Sequence, residues 1–249
     1  MLYLISLGLY DEKDMSLRAL ETAKKCDMLY CEFYTNKNKT TPEKLSKFIG
    51  KSVKKLNRSD LEENAEKILK EAKTKDVGIF VGGDVLSATT HISLVLDAKK
   101  AGIKTEVIHS SSIFTAIAET GLQLYNFGKT TTLPFPEKGY SPTGPYDMVL
   151  QNKKLGLHTL ILLDTKPDKQ MDVKKGLEIL LELEKQKKKK LFTKKTKVVA
   201  ACELGGKGII KYDTIESLIR NKGLEDKTPA VIIVPGKLHF LEKEFLDML

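Results

Sequence analysis

The sequence predicts an α/β protein. Short β-branched apolar runs recur along the chain, amphipathic segments of helical period separate them, and runs such as VGIFV are continuously apolar, as strands covered on both faces must be. With 249 residues, 41% of them hydrophobic and 30% charged, the chain is long enough to bury one large core or two modest ones.

LYLISL, residues 2–7, is the first strand. SLRALETAKKC follows as a helix with Leu17, Leu20 and Ala23 on one face and Ser16 as N-cap. DMLYCEF is a second strand, and TPEKLSKFI sets Thr41 before Pro42, the order found where proline occupies the first helical position. SVKKL leads into RSDLEENAEKILKEA, one helix capped by Ser59 or Asp60, and VGIFV is an inner parallel strand. Behind it, VGGDVLSATTH (81–91) runs through two glycines and an acid to a helix opening at Ala88-Thr89-Thr90, then HISLVLDAKKAG closed by Gly102, and the strand KTEVIH. The first half reads as a β-α repeat whose helices cross over a mostly parallel sheet.

The second half differs. SSIFTAIAETG is a helix and KTTTL a strand, while PFPEKGYSPTGPYD, with four prolines and two glycines, is a long loop. LHTLILLD, TKVVAACEL and AVIIVPG are strands, separated by the helices VKKGLEILLELEKQ and TIESLIR, and FLEKEFLDML is a closing helix.

Charge and cysteine content narrow the classes. The net charge of +9 lies largely in KQKKKKLFTKK (185–195), where cations meet the negative end of a helix dipole. No aromatic platform, helix-turn-helix spacing or zinc-finger spacing accompanies it, which argues against a nucleic-acid module. Cys26, Cys31 and Cys202 form no CxxC pair and read as buried small hydrophobes. The start lacks a basic n-region and no apolar run suits a bilayer span, so a cytoplasmic protein is expected.

In a parallel sheet, ligands bind beyond the carboxyl ends of the strands, which singles out Gly82, Gly83 and Asp84: glycines admit a ligand to the backbone, and the carboxylate can accept from an ammonium or a ribose hydroxyl. The bland alternative is a turn with Asp as helix cap. FGKTTT (127–132) mimics a P-loop, but Gln123 stands where the first glycine is required, and SLGLYD has only Gly8 where a dinucleotide fingerprint wants three glycines. His91, His109, His158 and His239 show no metal-ligand spacing, so no metal is expected, and there is no GxSxG nucleophile.

MLYLISLGLYDEKDMSLRALETAKKCD, YCEFYT, GDVLSATTH, VIHSSSIFTAIAETGLQLYNFGKT, GLHTLILLD and VIIVPGKLH, in this order over nearly the whole chain, resemble the diphthine synthase family of the tetrapyrrole methylase-like class. The resemblance implies two α/β domains, 1–110 and 111–249, with S-adenosylmethionine in the cleft between them, and a homodimer. It places the proline loop inside the second domain. It implies methylation of the α-amino group of the 3-amino-3-carboxypropyl-modified histidine of elongation factor 2, with S-adenosylhomocysteine as product. A methylase of a corrin or porphyrin precursor is the alternative. Carried over residue by residue, the cofactor contacts fall on Leu9, Asp84, Ser87, Ser112, Ile113, Leu163, Leu204 and Ala230, and no catalytic side chain is assigned. The chain departs from the family pattern at Ser6, a usual glycine, at Gly83 and Val85, set against the prolines of a PGDP-like loop, and at CELGG, against an ARAG-like stretch.

Overall fold

The computed structural model describes residues 1–35, 38–137, 142–166 and 169–249, which form two compact units, Met1–Ala116 and Ile117–Leu249. The first unit runs β1 (Leu2–Ser6), α1 (Leu17–Lys25), β2 (Met28–Glu32), α2 (Pro42–Ile49), β3 (Val53–Leu56), α3 (Arg58–Glu62), α4 (Glu66–Ala72), β4 (Val77–Val81), α5 (Ile92–Lys100), β5 (Thr105–Ile108) and α6 (Ile113–Ala116). Its five strands lie in the order β3-β2-β4-β1-β5, every pairing parallel, so all carboxyl ends share one edge. Side-chain alternation divides the core between the two faces. Leu2, Leu4, Val77, Ile79 and Val81 pack with Ile68 of α4 and Leu94 of α5, whereas Ile5, Leu29, Cys31 and Phe80 pack with Ala19 of α1 and Leu45 of α2.

The expected caps at Ser16 and Thr41 are present: each hydroxyl accepts the amide three residues on, from Ala19 at 3.1 Å and from Lys44 at 3.2 Å. The single helix expected over 58–72 is instead two. Its N-cap is Asn57, whose amide donates to Asp60 Oδ2 at 2.7 Å in a capping box, and α3 stops where the backbone and side-chain amides of Asn64 both donate to Ser59 O. Nor does a helix open at Ala88-Thr89-Thr90. Ala88 has φ +59°, Thr89 Oγ1 donates to Val85 O, and α5 begins only at Ile92.

The second unit contains β6 (Thr131–Leu133), α7 (Gly144–Lys154), β7 (Thr159–Leu163), α8 (Val173–Lys187), β8 (Lys197–Cys202), β9 (Ile209–Thr214), α9 (Ile215–Arg220), β10 (Ala230–Val234) and α10 (Phe240–Leu246). The sheet order is β6-β7-β10-β8-β9; β6 and β7 are parallel and the other pairings antiparallel. The segment expected as a helix over 111–121 is one α-helical turn, α6, followed by a 3₁₀ turn at Ile117–Thr120 that ends at Gly121 with φ +78°. The expected proline loop is shorter than its composition implies, because Gly144 and Pro145 open α7, where a missing N–H costs nothing. Residues 138–141 of that stretch lie outside those described. The lysine run is folded back at its start: Glu184 accepts the amides of Lys190, Leu191 and Phe192, and Leu191 and Phe192 are buried. The three cysteines are buried and unpaired.

Two departures from the family pattern meet in one bond. Ser6, fully buried, accepts the amide hydrogen of Val85 at 3.0 Å, joining the end of β1 to the loop after β4. A proline at 85 would offer no N–H, and a glycine at 6 no acceptor, so serine and valine replace glycine and proline as partners. Gly83 has φ +73°, which a proline ring forbids; with Asp84 aligned, the prolines of a PGDP-like loop fall on Gly82 and Val85. Ser6→Ala leaves the Val85 amide buried without an acceptor and is expected to cost about 1–3 kcal/mol in urea unfolding. The pair Ser6→Gly with Val85→Pro is expected to recover most of that loss.

Candidate functional site

The loops at the carboxyl edge of the first sheet are tied to one another. Gly8 and Gly83 exchange backbone hydrogen bonds of 3.1 and 2.7 Å, and Gly8 takes φ +80° with Asp14 filling the space a side chain would need, so no larger residue fits. Asp84, only 6% exposed, stands at the centre. Its Oδ1 accepts from the Leu86 amide and the Ser87 hydroxyl, both at 3.2 Å; its Oδ2 lies 2.7 Å from His109 Nδ1 and accepts the Ser110 amide at 3.3 Å. Burial favours the protonated acid, but these donors, the His109 bond foremost, outweigh it and hold the carboxyl below its ordinary range.

Five of the residues expected at the cofactor site lie at this edge: Leu9 in the loop after β1, Asp84 and Ser87 after β4, and Ser112 and Ile113 after β5. Leu9, Ser87 and Ile113 are partly exposed, while Ser112 is buried and accepts the Phe114 amide. The other three gather at one end of the second sheet. Ala230 opens β10 opposite Cys202 of β8, Leu162 pairs with Val231, and Leu163 and Leu204 close β7 and the turn after β8. In CELGG, Glu203 takes φ +51° and donates its amide to Pro229 O.

Two buried acid–histidine pairs escaped the sequence reading. At the end of β2, Glu32 is fully buried and accepts from the Tyr34 and Thr35 amides and the Thr35 hydroxyl, with His91 Nε2 3.5 Å away. Neither ring nitrogen of His91 has a hydrogen-bond partner among the described residues; burial pushes its pKa down to about 4 and raises that of Glu32. In the second unit His158 Nδ1 accepts the Gly236 amide, so Nε2 carries the hydrogen toward buried Glu242 at 3.1 Å. Glu242 also accepts from Gln123 and His239, fixing the start of α10. Among the described residues no cluster of three His, Cys, Asp or Glu side chains is placed to hold a metal ion, and no helix is long and apolar enough to cross a membrane.

A sequence model of the Tetrapyrrole (Corrin/Porphyrin) Methylases matches residues 1–218. The chain is 44% identical over 255 residues to the diphthine synthase of Methanocaldococcus jannaschii, covering 100% of this chain and 98% of that one. It is 43% identical over 254 residues to the diphthine synthase of Methanococcus vannielii, with the same coverage. A crystal structure of diphthine synthase superposes with a TM-score of 0.90 at 36% identity, over 99% of this chain and 94% of that one. The chain belongs to the diphthine synthases of the tetrapyrrole methylase family. It is therefore an S-adenosylmethionine-dependent methyltransferase of diphthamide biosynthesis, which sets aside the corrin or porphyrin precursor alternative.

The signal that could have found the Glu32–His91 pair is an acid inside the apolar strand DMLYCEF, since a carboxylate there must meet a donor. Around it, Tyr34 stacks on His91 with ring centroids 6.3 Å apart, Arg58 lies over the Tyr34 ring, and Glu62 pairs with Arg58 at 3.2 Å. The unfolded chain protonates His91 below about pH 6.5, whereas the folded protein resists until about 4, so the stability this histidine contributes is lost as pH falls through that window. The stability difference between the parent and His91→Gln, from urea unfolding at a series of pH values, is expected to change in the variant's favour by up to about 3 kcal/mol between pH 6.5 and 4. Glu32 acts in the opposite sense but is common to both proteins, so the difference isolates the imidazole. A pH-independent difference would contradict a buried neutral ring.

Proposed function

We propose that the protein transfers methyl groups repeatedly from S-adenosylmethionine to the α-amino group of the 3-amino-3-carboxypropyl chain on the modified histidine of elongation factor 2, giving diphthine. The full-length match to diphthine synthases, spanning both units, carries this reading. The acceptor is protein-borne, and the work takes place in the cytoplasm. Residues 1–110 act as the methylase domain and 111–249 as the second domain, with the cofactor held by Leu9, Asp84 and Ser87 from the first and by Ser112, Ile113, Leu163, Leu204 and Ala230 from the second.

The residues present fit that cofactor. The bridge between Gly8 and Gly83 fixes the loops that carry Leu9 and Ser87, and the partly exposed Leu9 and Ile113 offer apolar contact. Ser87 spends its hydrogen on Asp84 and keeps lone pairs to accept, whereas Ser112 accepts from Phe114 and keeps a hydrogen to donate. With four protein donors already on its carboxylate, Asp84 serves mainly by holding these groups in place. When bound, the sulfonium supplies an activated methyl carbon, so the chain's own task is to exclude water and align a neutral amine. The exposed Leu124, Tyr125, Phe240, Leu241 and Met248 of the second unit give the expected homodimer apolar surface to bury.

Incubating the chain with labelled S-adenosylmethionine and elongation factor 2 bearing the aminocarboxypropyl histidine is expected to label the factor, and a precorrin mixture is not. Asp84→Ala is expected to weaken cofactor binding about tenfold or more by calorimetry, ~1.4 kcal/mol. Label in the precorrin alone would overturn the acceptor, and unchanged affinity in the variant would overturn the role of Asp84.

A further inference from the structure

The Asp84 cluster contains a polar atom, His109 Nε2, that no other described residue engages. His109 is the first residue beyond β5, at the same edge as Leu9, Ser87 and Ser112, and its side chain is 67% exposed although its Nδ1 is fixed 2.7 Å from Asp84 Oδ2. A carboxylate accepts only, so Nδ1 must carry the hydrogen. The lone pair of the neutral ring is then on Nε2, which has no protein hydrogen-bond partner among the described residues. The remaining histidines are placed otherwise. His91 and His158 are buried, and His239 caps α10 through its own Nδ1.

We propose that His109 Nε2 receives the proton that the acceptor ammonium must lose before methyl transfer, with Asp84 as the positioning residue that fixes the receptive tautomer. This rests on the amine acceptor inferred above. An N–H bond of the ammonium breaks, its electron pair remains on nitrogen as the attacking lone pair, and the proton bonds to Nε2. The resulting imidazolium faces the Asp84 carboxylate, and its exposed edge passes the proton to water, which restores the neutral ring before the next transfer. The arrangement is that of an acid-oriented histidine base.

The test uses the full chain and three readings. In the protein free of cofactor, ¹⁵N spectra of the His109 ring at alkaline pH are expected to show hydrogen on Nδ1. Asp84→Asn is expected to shift it toward Nε2, because the amide side of Asn, facing the ring, donates to Nδ1. His109→Gln, whose side-chain amide can still donate to Asp84 but cannot accept a proton, is expected to keep the parent's melting temperature and cofactor affinity while losing about 100-fold or more in transfer rate at neutral pH. Its rate is also expected to continue rising into the alkaline range where the parent levels off. A parent ring with hydrogen on Nε2, a variant with the parent's rate and pH profile, or a variant whose loss is explained by weakened cofactor binding would each overturn the proposal. No transfer by the parent would overturn the functional reading and this proposal with it, whereas transfer by a parent that His109→Gln matches would overturn this proposal alone.

Discussion

A carboxylate almost out of reach of solvent has to find a donor for each of its lone pairs, and Asp84 finds them in four residues from two loops. Leu86 and Ser87 close the turn after β4, and His109 and Ser110 bring in the chain that leaves β5. Removing any one donor would leave a buried charge partly unsatisfied, a cost of several kcal/mol if nothing moves. The loops are thus held as one piece, and the Gly8–Gly83 bridge extends that piece to the loop after β1. Every cofactor residue proposed in the first unit sits on this tied rim.

Rigidity of the rim is reached here through a hydrogen bond rather than a proline ring. A proline after the acid would restrict the loop through its ring, but this chain has Val85 and recovers order through the bond from its amide to Ser6 Oγ. The substitution is consistent across levels: a donor appears at 85 and an acceptor appears at 6, in a place where neither could stand unpaired. The same rule governs Glu242, whose burial at the start of α10 is matched by donors from Gln123, His158 and His239.

Elements driven by local patterning were legible in the sequence. VGIFV could only be a strand covered on both faces, and the hydroxyls of Ser16 and Thr41 stood where an N-cap needs them. Elements driven by partners distant in the chain were not. The strand Ile209–Thr214 is fixed by pairing with β8 rather than by its own composition, and the prolines before α7 disguised a helix that a proline in fact begins. Asp84 was marked by its place behind a buried strand, but its partnership with His109, 25 residues on, depends on β4 and β5 flanking β1, a sheet order that periodicity does not encode. α3 is capped by Asn57 rather than Ser59 or Asp60 because Asp60 takes the N3 place of a capping box and accepts the Asn57 amide.

Amide hydrogen exchange at Gly8, Gly83, Leu86 and Ser110, compared between the parent and Asp84→Ala, reads the cohesion of the rim most directly. If Asp84 ties the loops together, its loss accelerates exchange at Leu86 and Ser110 jointly, with the Gly8–Gly83 pair following, while β4 amides stay protected. Unchanged exchange at Leu86 and Ser110 would contradict the account.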